Sequence, residues 1–412
     1  MTDFCFIHAA DIHLDSRLKG LADYPGAPVE AMRDATRRAF DNLVRFAIEA
    51  DAAFVVIAGD VYDGDWRDFN TGLYFAHGMS RLRDAGVRVA LIQGNHDAQS
   101  VITKSLRLPD NVSRFATEHA ESVVWEDLGV AIHGRGFGKR AESANIVASY
   151  PERRSGYVNI GVLHTSLAGS PDHEPYAPCG VEDLIAKGYD YWALGHVHAR
   201  RIVRADPWIV YPGNTQGRHA RETGEKGAMM VRVTDGRVAE PEFVALDAAR
   251  WALVEVDAAG CGDGETAIER VEAAAAGSID EAEGRPVALR IRVRGSCPAH
   301  RDIVADHERW TAEARQAVTN VSRSRGWVEK VAWETSAPTD AKSIGSDFDL
   351  ERIADDPELV AAAMIEMRKD DEALKKKLPR DLHDLFGADN APDAADTCAL
   401  LAAKLARSGD AR

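Results

Sequence analysis

Apolar residues fall in short blocks through the first half of the chain. Phe4–Ala9 and Ala53–Ala58 are almost continuous apolar runs of strand length, the pattern of interior strands covered on both faces. Further strands are predicted at Val87–Gln93, Ser122–Trp125, Val130–His133, Val158–Leu163, Tyr191–Leu194, Trp208–Tyr211 and Ala228–Val233. Between the early strands the period changes. Val29–Ala50 carries Met32, Ala35, Phe40, Leu43, Val44 and Ala47 at helical spacing, and Phe69–Ala85 also reads as helix. Strands alternating with helices predict a layered α/β domain over residues 1–247.

The pattern changes near residue 248. Trp251–Val256 and Val328–Trp333 read as strands, Glu265–Ala276 and Asp302–Val318 as helices. Val287–Arg294 sets Val287, Leu289, Ile291 and Val293 against Arg290, Arg292 and Arg294, the two-residue period of a half-buried strand. Residues 248–337 are therefore predicted to be a small α+β domain. Residues 338–347, polar and containing Gly345, read as a linker. The tail, residues 348–412, holds only helical patterns, at Leu359–Lys377 and Asp393–Ala406. Its apolar residues, among them Leu382, Leu385 and Phe386, are expected to dock on a partner's surface, with packing on the chain's own body as the alternative.

Composition narrows the class. No apolar run in the 412 residues approaches the roughly 18–20 that a bilayer span needs, so no membrane association is expected. The start of the chain has no basic segment followed by an apolar one, the pattern of a secretory leader. The cysteines, Cys5, Cys179, Cys261, Cys297 and Cys398, are scattered without CxxC spacing. That predicts neither disulfides nor a zinc knuckle, and a reducing cytoplasm. A net charge of −16 argues against a simple nucleic-acid coat, but not against a metal-dependent enzyme acting on nucleic acid. Histidine is unevenly spread, with 11 of 14 before residue 220.

Many of these histidines belong to short polar segments that each follow a predicted strand. The segments are Asp11-Ile12-His13, Gly59-Asp60-Val61-Tyr62-Asp63, Gly94-Asn95-His96-Asp97, His164 after Val162-Leu163, and Gly195-His196-Val197-His198. Each alone is a common turn or a core histidine. Together, at successive strand ends of one α/β sheet system, they can converge on a single site. The donors are imidazole, carboxylate and amide, which suit divalent cations of hard to borderline character. Asp60 is the candidate to bridge two of them. Two cations close together activate water and clamp an in-line phosphoryl displacement.

This set resembles the calcineurin-like metallophosphoesterases. The resemblance implies a layered β-sandwich flanked by helices, with the α+β unit as a capping domain. It implies that Asp11, His13, Asp60 and His198 hold one metal and that Asp60, Asn95, His164 and His196 hold the other. His96 would act beside the scissile phosphate, oriented by Asp97. Phe6-Ile7-His8-Ala9-Ala10-Asp11 and Tyr211-Pro212-Gly213-Asn214-Thr215-Gln216-Gly217-Arg218-His219 are similar to DNA repair exonucleases of the SbcD and YhaO type. Asp63 stands where archaeal and eukaryotic double-strand-break nucleases of that group carry histidine.

The implied activity is a manganese-dependent DNA phosphodiesterase, with iron or zinc as other ions the donors accept. The implied partners are DNA, a coiled-coil ATPase of the SbcC or YhaN kind, and a second copy of the chain. Arg17, Arg200, Arg218 and His219 are candidates for DNA phosphates, and His8 is read as a core histidine. A phosphatase or cyclic-nucleotide phosphodiesterase with the same dinuclear site, and a scaffold with a retired site, remain as alternatives.

Overall fold

The computed structural model describes residues 2–16, 34–63, 69–99, 106–139, 142, 144–167, 177–323 and 325–338. The predicted start of the first helix before residue 34, Arg17, most of the linker and the whole tail lie outside them. Two compact units emerge. One takes Met1–Ala252 with Ala282–Ala288, and the other begins with Leu253–Glu281 and resumes at Leu289.

The first unit is built on two sheets. The first contains β1 (Phe4–Ala9), β2 (Phe54–Ala58), β3 (Arg88–Ile92) and β4 (Val112–Arg114), all parallel. α1 (Ala35–Glu49) and α2 (Phe69–Asp84) are the connecting helices. The second sheet holds β5 (Glu121–Trp125), β6 (Val130–Gly134) and β7 (Val158–His164). After a short helix, α3 (Val181–Ala186), it is extended by β8 (Tyr191–Gly195), β9 (Arg201–Ala205) and β10 (Trp208–Tyr211). Its strand order is β5-β6-β7-β8-β10-β9. The chain then returns to the first sheet. β11 (Gly227–Thr234) pairs antiparallel with β1, and β12 (Arg237–Val238) and β13 (Glu242–Ala245) pair with β11.

Period-two alternation divides the core into layers. Ile7, Ala9, Val55, Ile57, Val89 and Leu91 pack with Phe40, Leu43, Val44, Phe75, Met79 and Leu82 of α1 and α2. The alternate residues Phe6, Phe54, Val56, Ala58, Ala90 and Ile92 meet Val130, Ile132, Ile160, Val162, Tyr191 and Ala193 of the second sheet. The far face of that sheet, with Leu163, Trp192, Leu194 and Ile209, is covered by Leu184 of α3 and by Ile146, Val147 and Tyr150. The layered α/β sandwich expected from the sequence is the fold.

Two differences from the sequence reading have simple causes. β9 escaped notice because Arg-Ile-Val-Arg-Ala has no apolar run. It is a largely exposed edge strand, where charged residues are favoured. Second, β13 and β4 are only a few residues long.

Most of a three-stranded sheet, in order β14 (Arg250–Asp257), β15 (Val287–Ser296) and β16 (Gly326–Ser336), belongs to the second unit. Its helices are α4 (Gly264–Glu281), α5 (His300–Ala305) and α6 (His307–Ser322), with α6 lying against both α4 and β16. The single helix expected over Asp302–Val318 is two. Asp306 leaves helical geometry and caps α6, its carboxylate accepting from the Arg309 N–H at 3.3 Å. No helix among the described residues is long and apolar enough to cross a membrane.

Candidate metal centre

The polar segments do meet, because β1, β2 and β3 of one sheet and β7 and β8 of the other end on the same side. The loops after β1 and β2 are zipped together. The N–H groups of Asp11, His13 and Leu14 donate to the carbonyls of Gly59, Asp60 and Val61 at 3.1, 3.0 and 2.8 Å. This pairing leaves Asp11, His13 and Asp60 with φ of 51°, 45° and 52°, and His196 has φ of 94°. Such left-handed values are costly for residues with a Cβ, and they gather at functional sites. The backbones also crowd closely: a Cβ at Gly94 would sit 2.2 Å from Oδ1 of Asp60, and one at Gly195 would sit 2.0 Å from the Ala58 carbonyl.

Asp60 lies at the middle of the cluster and is buried. Its Oδ1 accepts from the His96 N–H at 2.9 Å. Its Oδ2 lies 3.3 Å from His164 Nε2 and 3.9 Å from His13 Nε2. On one side, His13 Nε2 and His198 Nε2 are 3.2 Å apart, and His198 Nε2 is 3.9 Å from Asp11 Oδ1. On the other side, Oδ1 of Asn95 lies 2.9 Å from His164 Nε2 and 3.3 Å from His196 Nδ1. Asp11 is held in place by the His196 N–H, which donates to both its oxygens at 3.1 and 3.0 Å.

The donors fit cations. Three trios, Asp11–His13–His198, Asp11–Asp60–His164 and His13–Asp63–His96, each have donor atoms within 4.8 Å of one another. His164 Nδ1 faces the Ala58 carbonyl at 2.9 Å and must donate to it. Its Nε2 therefore points a lone pair, or a proton, at two further acceptors, Asp60 and Asn95. A positive charge is required there, and a metal ion meets that need as well as a proton does.

The electrostatics agree. Burial would raise Asp60, but His164, His13 and His96 hold its carboxyl well below the usual range. Burial lowers His164, yet Asp60 and Asp11 outweigh it and push the imidazole up to about 9. Burial, then the Arg218 charge, lowers His13 to about 3, leaving a neutral ring. Burial raises Asp11 to about 6.

Asp97 requires correction. Its buried carboxylate does not orient His96. It accepts from the N–H groups of Val61, Tyr62 and Gly94 at 3.2, 3.0 and 3.0 Å, tying the loop after β2 to the loop after β3. The carboxylate beside His96 is Asp63, whose Oδ1 lies 3.2 Å from His96 Nδ1. Asp63 also accepts from Ser16 Oγ at 2.8 Å and lies 3.6 Å from Nη1 of Arg218. His96, opposed by burial but favoured by Asp63 and Asp60, titrates above its usual value.

The proposed DNA contacts separate. Arg218 sits at the rim of the cluster, and His219 Nε2 lies 3.4 Å from Oε1 of Glu222. Arg200 instead stacks on the Phe243 ring, 3.8 Å from its centroid. Arg17 lies outside the described residues. His8 is buried, with Nδ1 3.0 Å from the Tyr191 hydroxyl and Nε2 3.2 Å from the Leu194 carbonyl.

Sequence reading missed Glu222, a buried carboxylate 2.6 Å from His198 Nδ1. A lone Glu in a polar loop gave no signal.

Comparison with known proteins agrees with this geometry. Residues 5–200 match the calcineurin-like phosphoesterase family, and residues 251–336 match the middle domain of metallophosphoesterase YhaO. The chain is 34% identical to metallophosphoesterase YhaO of Bacillus subtilis over 302 residues, covering 72% of this chain and 73% of that protein. It is 26% identical to the DNA double-strand break repair protein Mre11 of Methanopyrus kandleri, over 60% of this chain and 58% of that one. It is also 26% identical to the Mre11 protein of Aeropyrum pernix, over 64% and 66%. The donor set and these matches lead to one conclusion: the chain belongs to the calcineurin-like metallophosphoesterases, in the YhaO group.

Proposed function

We propose that the chain is a two-metal DNA phosphodiesterase, an exonuclease with endonuclease action on some substrates, working in DNA repair. The observation that carries this reading is Asp60, a buried carboxylate flanked by histidines on both sides, with the Asp63–His96 pair beside it. The matches to Mre11 proteins support DNA as substrate.

In this reading Asp11, His13, Asp60 and His198 hold one ion, and Asp60, Asn95, His164 and His196 the other. Manganese is the proposed ion. When bound, the pair supplies positive charge that activates water and neutralises phosphoryl oxygens. The protein's own groups do the rest. Asp60 would be the carboxylate shared by both ions. Asp63 pairs with Nδ1 of His96 and favours its charged form, so that Nε2 carries a proton for the leaving sugar oxygen. Arg218 offers a cation at the rim for a neighbouring phosphate. A coiled-coil ATPase of the SbcC or YhaN kind is the proposed partner, a homodimer the proposed assembly and the cytoplasm the proposed compartment.

The test compares manganese-dependent hydrolysis of a single-stranded oligonucleotide and of a nucleotide monoester by the full-length protein. Oligonucleotide cleavage that chelation stops is expected. Hydrolysis of the monoester alone would move the assignment to a phosphatase.

A further inference from the structure

Glu222 lies outside every metal-ligand segment, yet its buried carboxylate is fully engaged. Oε1 faces His198 Nδ1 at 2.6 Å. Oε2 accepts from Asn214 Nδ2 at 3.0 Å and from the Arg218 N–H at 2.7 Å. The Glu222 N–H in turn donates to the His219 carbonyl at 2.9 Å, so the loop closes around its own side chain. A carboxylate at this point can only accept, whereas an imidazole nitrogen can donate or accept.

A second group competes for the same nitrogen. Nη2 of Arg218, which can only donate, lies 3.4 Å from His198 Nδ1. If Arg218 won, Nδ1 would be bare and Nε2 would carry the proton. Nε2 is the atom that faces Asp11 at 3.9 Å and His13 Nε2 at 3.2 Å. A protonated Nε2 cannot bind a cation. The shorter, charge-assisted contact to Glu222 prevails over the longer one.

We propose that Glu222 is a positioning residue: it holds the proton on His198 Nδ1 and so presents the Nε2 lone pair to the metal cluster. The inference rests on the two-metal reading given above. An outer carboxylate that fixes a metal-binding imidazole is worth roughly 10–100-fold in metal affinity.

Glu222→Gln has nearly the same shape and separates orientation from packing. Its single oxygen is best spent on the two donors Asn214 and Arg218 N–H, which turns its NH2 toward His198 Nδ1. The ring must then accept at Nδ1, and Nε2 takes the proton.

The experiment has two readouts on full-length protein. Histidine-selective 15N NMR of the chelated protein, with the His198 signal assigned by its loss in His198→Gln, reads which nitrogen is protonated. Wild type should carry the proton on Nδ1, and Glu222→Gln should leave Nδ1 bare. Calorimetric titration with manganese should then show one of two sites weakened by roughly 10–100-fold and the other kept. A bare Nδ1 in wild type would overturn the proposal even if the variant failed to fold. So would wild-type manganese affinity at both sites in a folded Glu222→Gln. Wild type that takes up no second ion would instead sink the two-metal reading, while the NMR result would still decide the role of Glu222.

Discussion

Asp60 and His96 sit next to each other in the cluster but carry different chemical demands. The Asp60 carboxylate supplies negative charge between histidines on both sides. In Asp60→Asn a neutral amide replaces it, and manganese-dependent cleavage should vanish, with the protein checked for folding by circular dichroism. Near-normal cleavage would remove Asp60 from the bridging role. His96 offers a proton, with Asp63 behind it at 3.2 Å. His96→Ala should keep its metal, by calorimetry, and lose turnover by roughly 10²–10⁴. Asp63→Asn should lose part of that. If the two act as one unit, the double variant is no slower than His96→Ala alone. Additive losses would show that Asp63 works through something else.

The strand ends explain why so few segments can make this site. Hydrogen bonds between the loops after β1 and β2 hold Asp11, His13 and Asp60 at positive φ. The paired loops set Asp11, His13 and Asp60 close together, with donor atoms of each in shared trios. The glycines serve the same end. At Gly195, where β8 finishes, a Cβ would be only 2.0 Å from the Ala58 carbonyl of β2, across the sandwich. Backbone cannot yield as a flexible side chain can. Gly195→Ala should therefore cost at least the ~1–3 kcal/mol typical of overpacking. It should also spread the metal donors, weakening manganese binding together with the urea midpoint. A variant with unchanged midpoint and affinity would mean that the two strand ends can part freely.

His8 links the two sheets, and so acts on the scale of the whole molecule. It projects from β1 to the Tyr191 hydroxyl and the Leu194 carbonyl of β8. Burial lowers its pKa to about 3. The unfolded chain takes up a proton near pH 6.5 and the folded protein does not. The neutral-ring contribution is thus fully present above about pH 6.5 and is lost as pH falls toward 3. Between pH 7 and 5 it amounts to about 2 kcal/mol. Urea midpoints measured at both values should fall less in His8→Gln than in the parent. An equal fall would show that His8 is charged in the folded protein. The acidic balance of the chain, −16, also acts at this scale. If the substrate is DNA, as proposed, its attraction must come from local charge, and the donor cluster with Arg218 at its rim is where cations would supply it.

Periodicity and turn chemistry revealed most of the buried strands, the alternating helices and the polar segments that follow them, because burial writes itself into the sequence every second or every third and fourth residue. That the segments carrying Asp11, His13, Asp60, Asn95, His164, His196 and His198 could meet was legible for the same reason, since each follows a strand whose apolar run marks the place; the ligand role of each came from the family resemblance. The second tier was not. Glu222 has no apolar run before it, and Asp97, directly after His96, looks on paper the nearer partner for that ring than Asp63, which has no histidine close by in the sequence. Only packing decides that Asp97 is drawn to three backbone N–H groups while Asp63 faces the imidazole. Spacing along the chain shows which elements a residue ends. Which nitrogen, which oxygen and which neighbour it meets depends on how two sheets pack, and that is a property of distances through space.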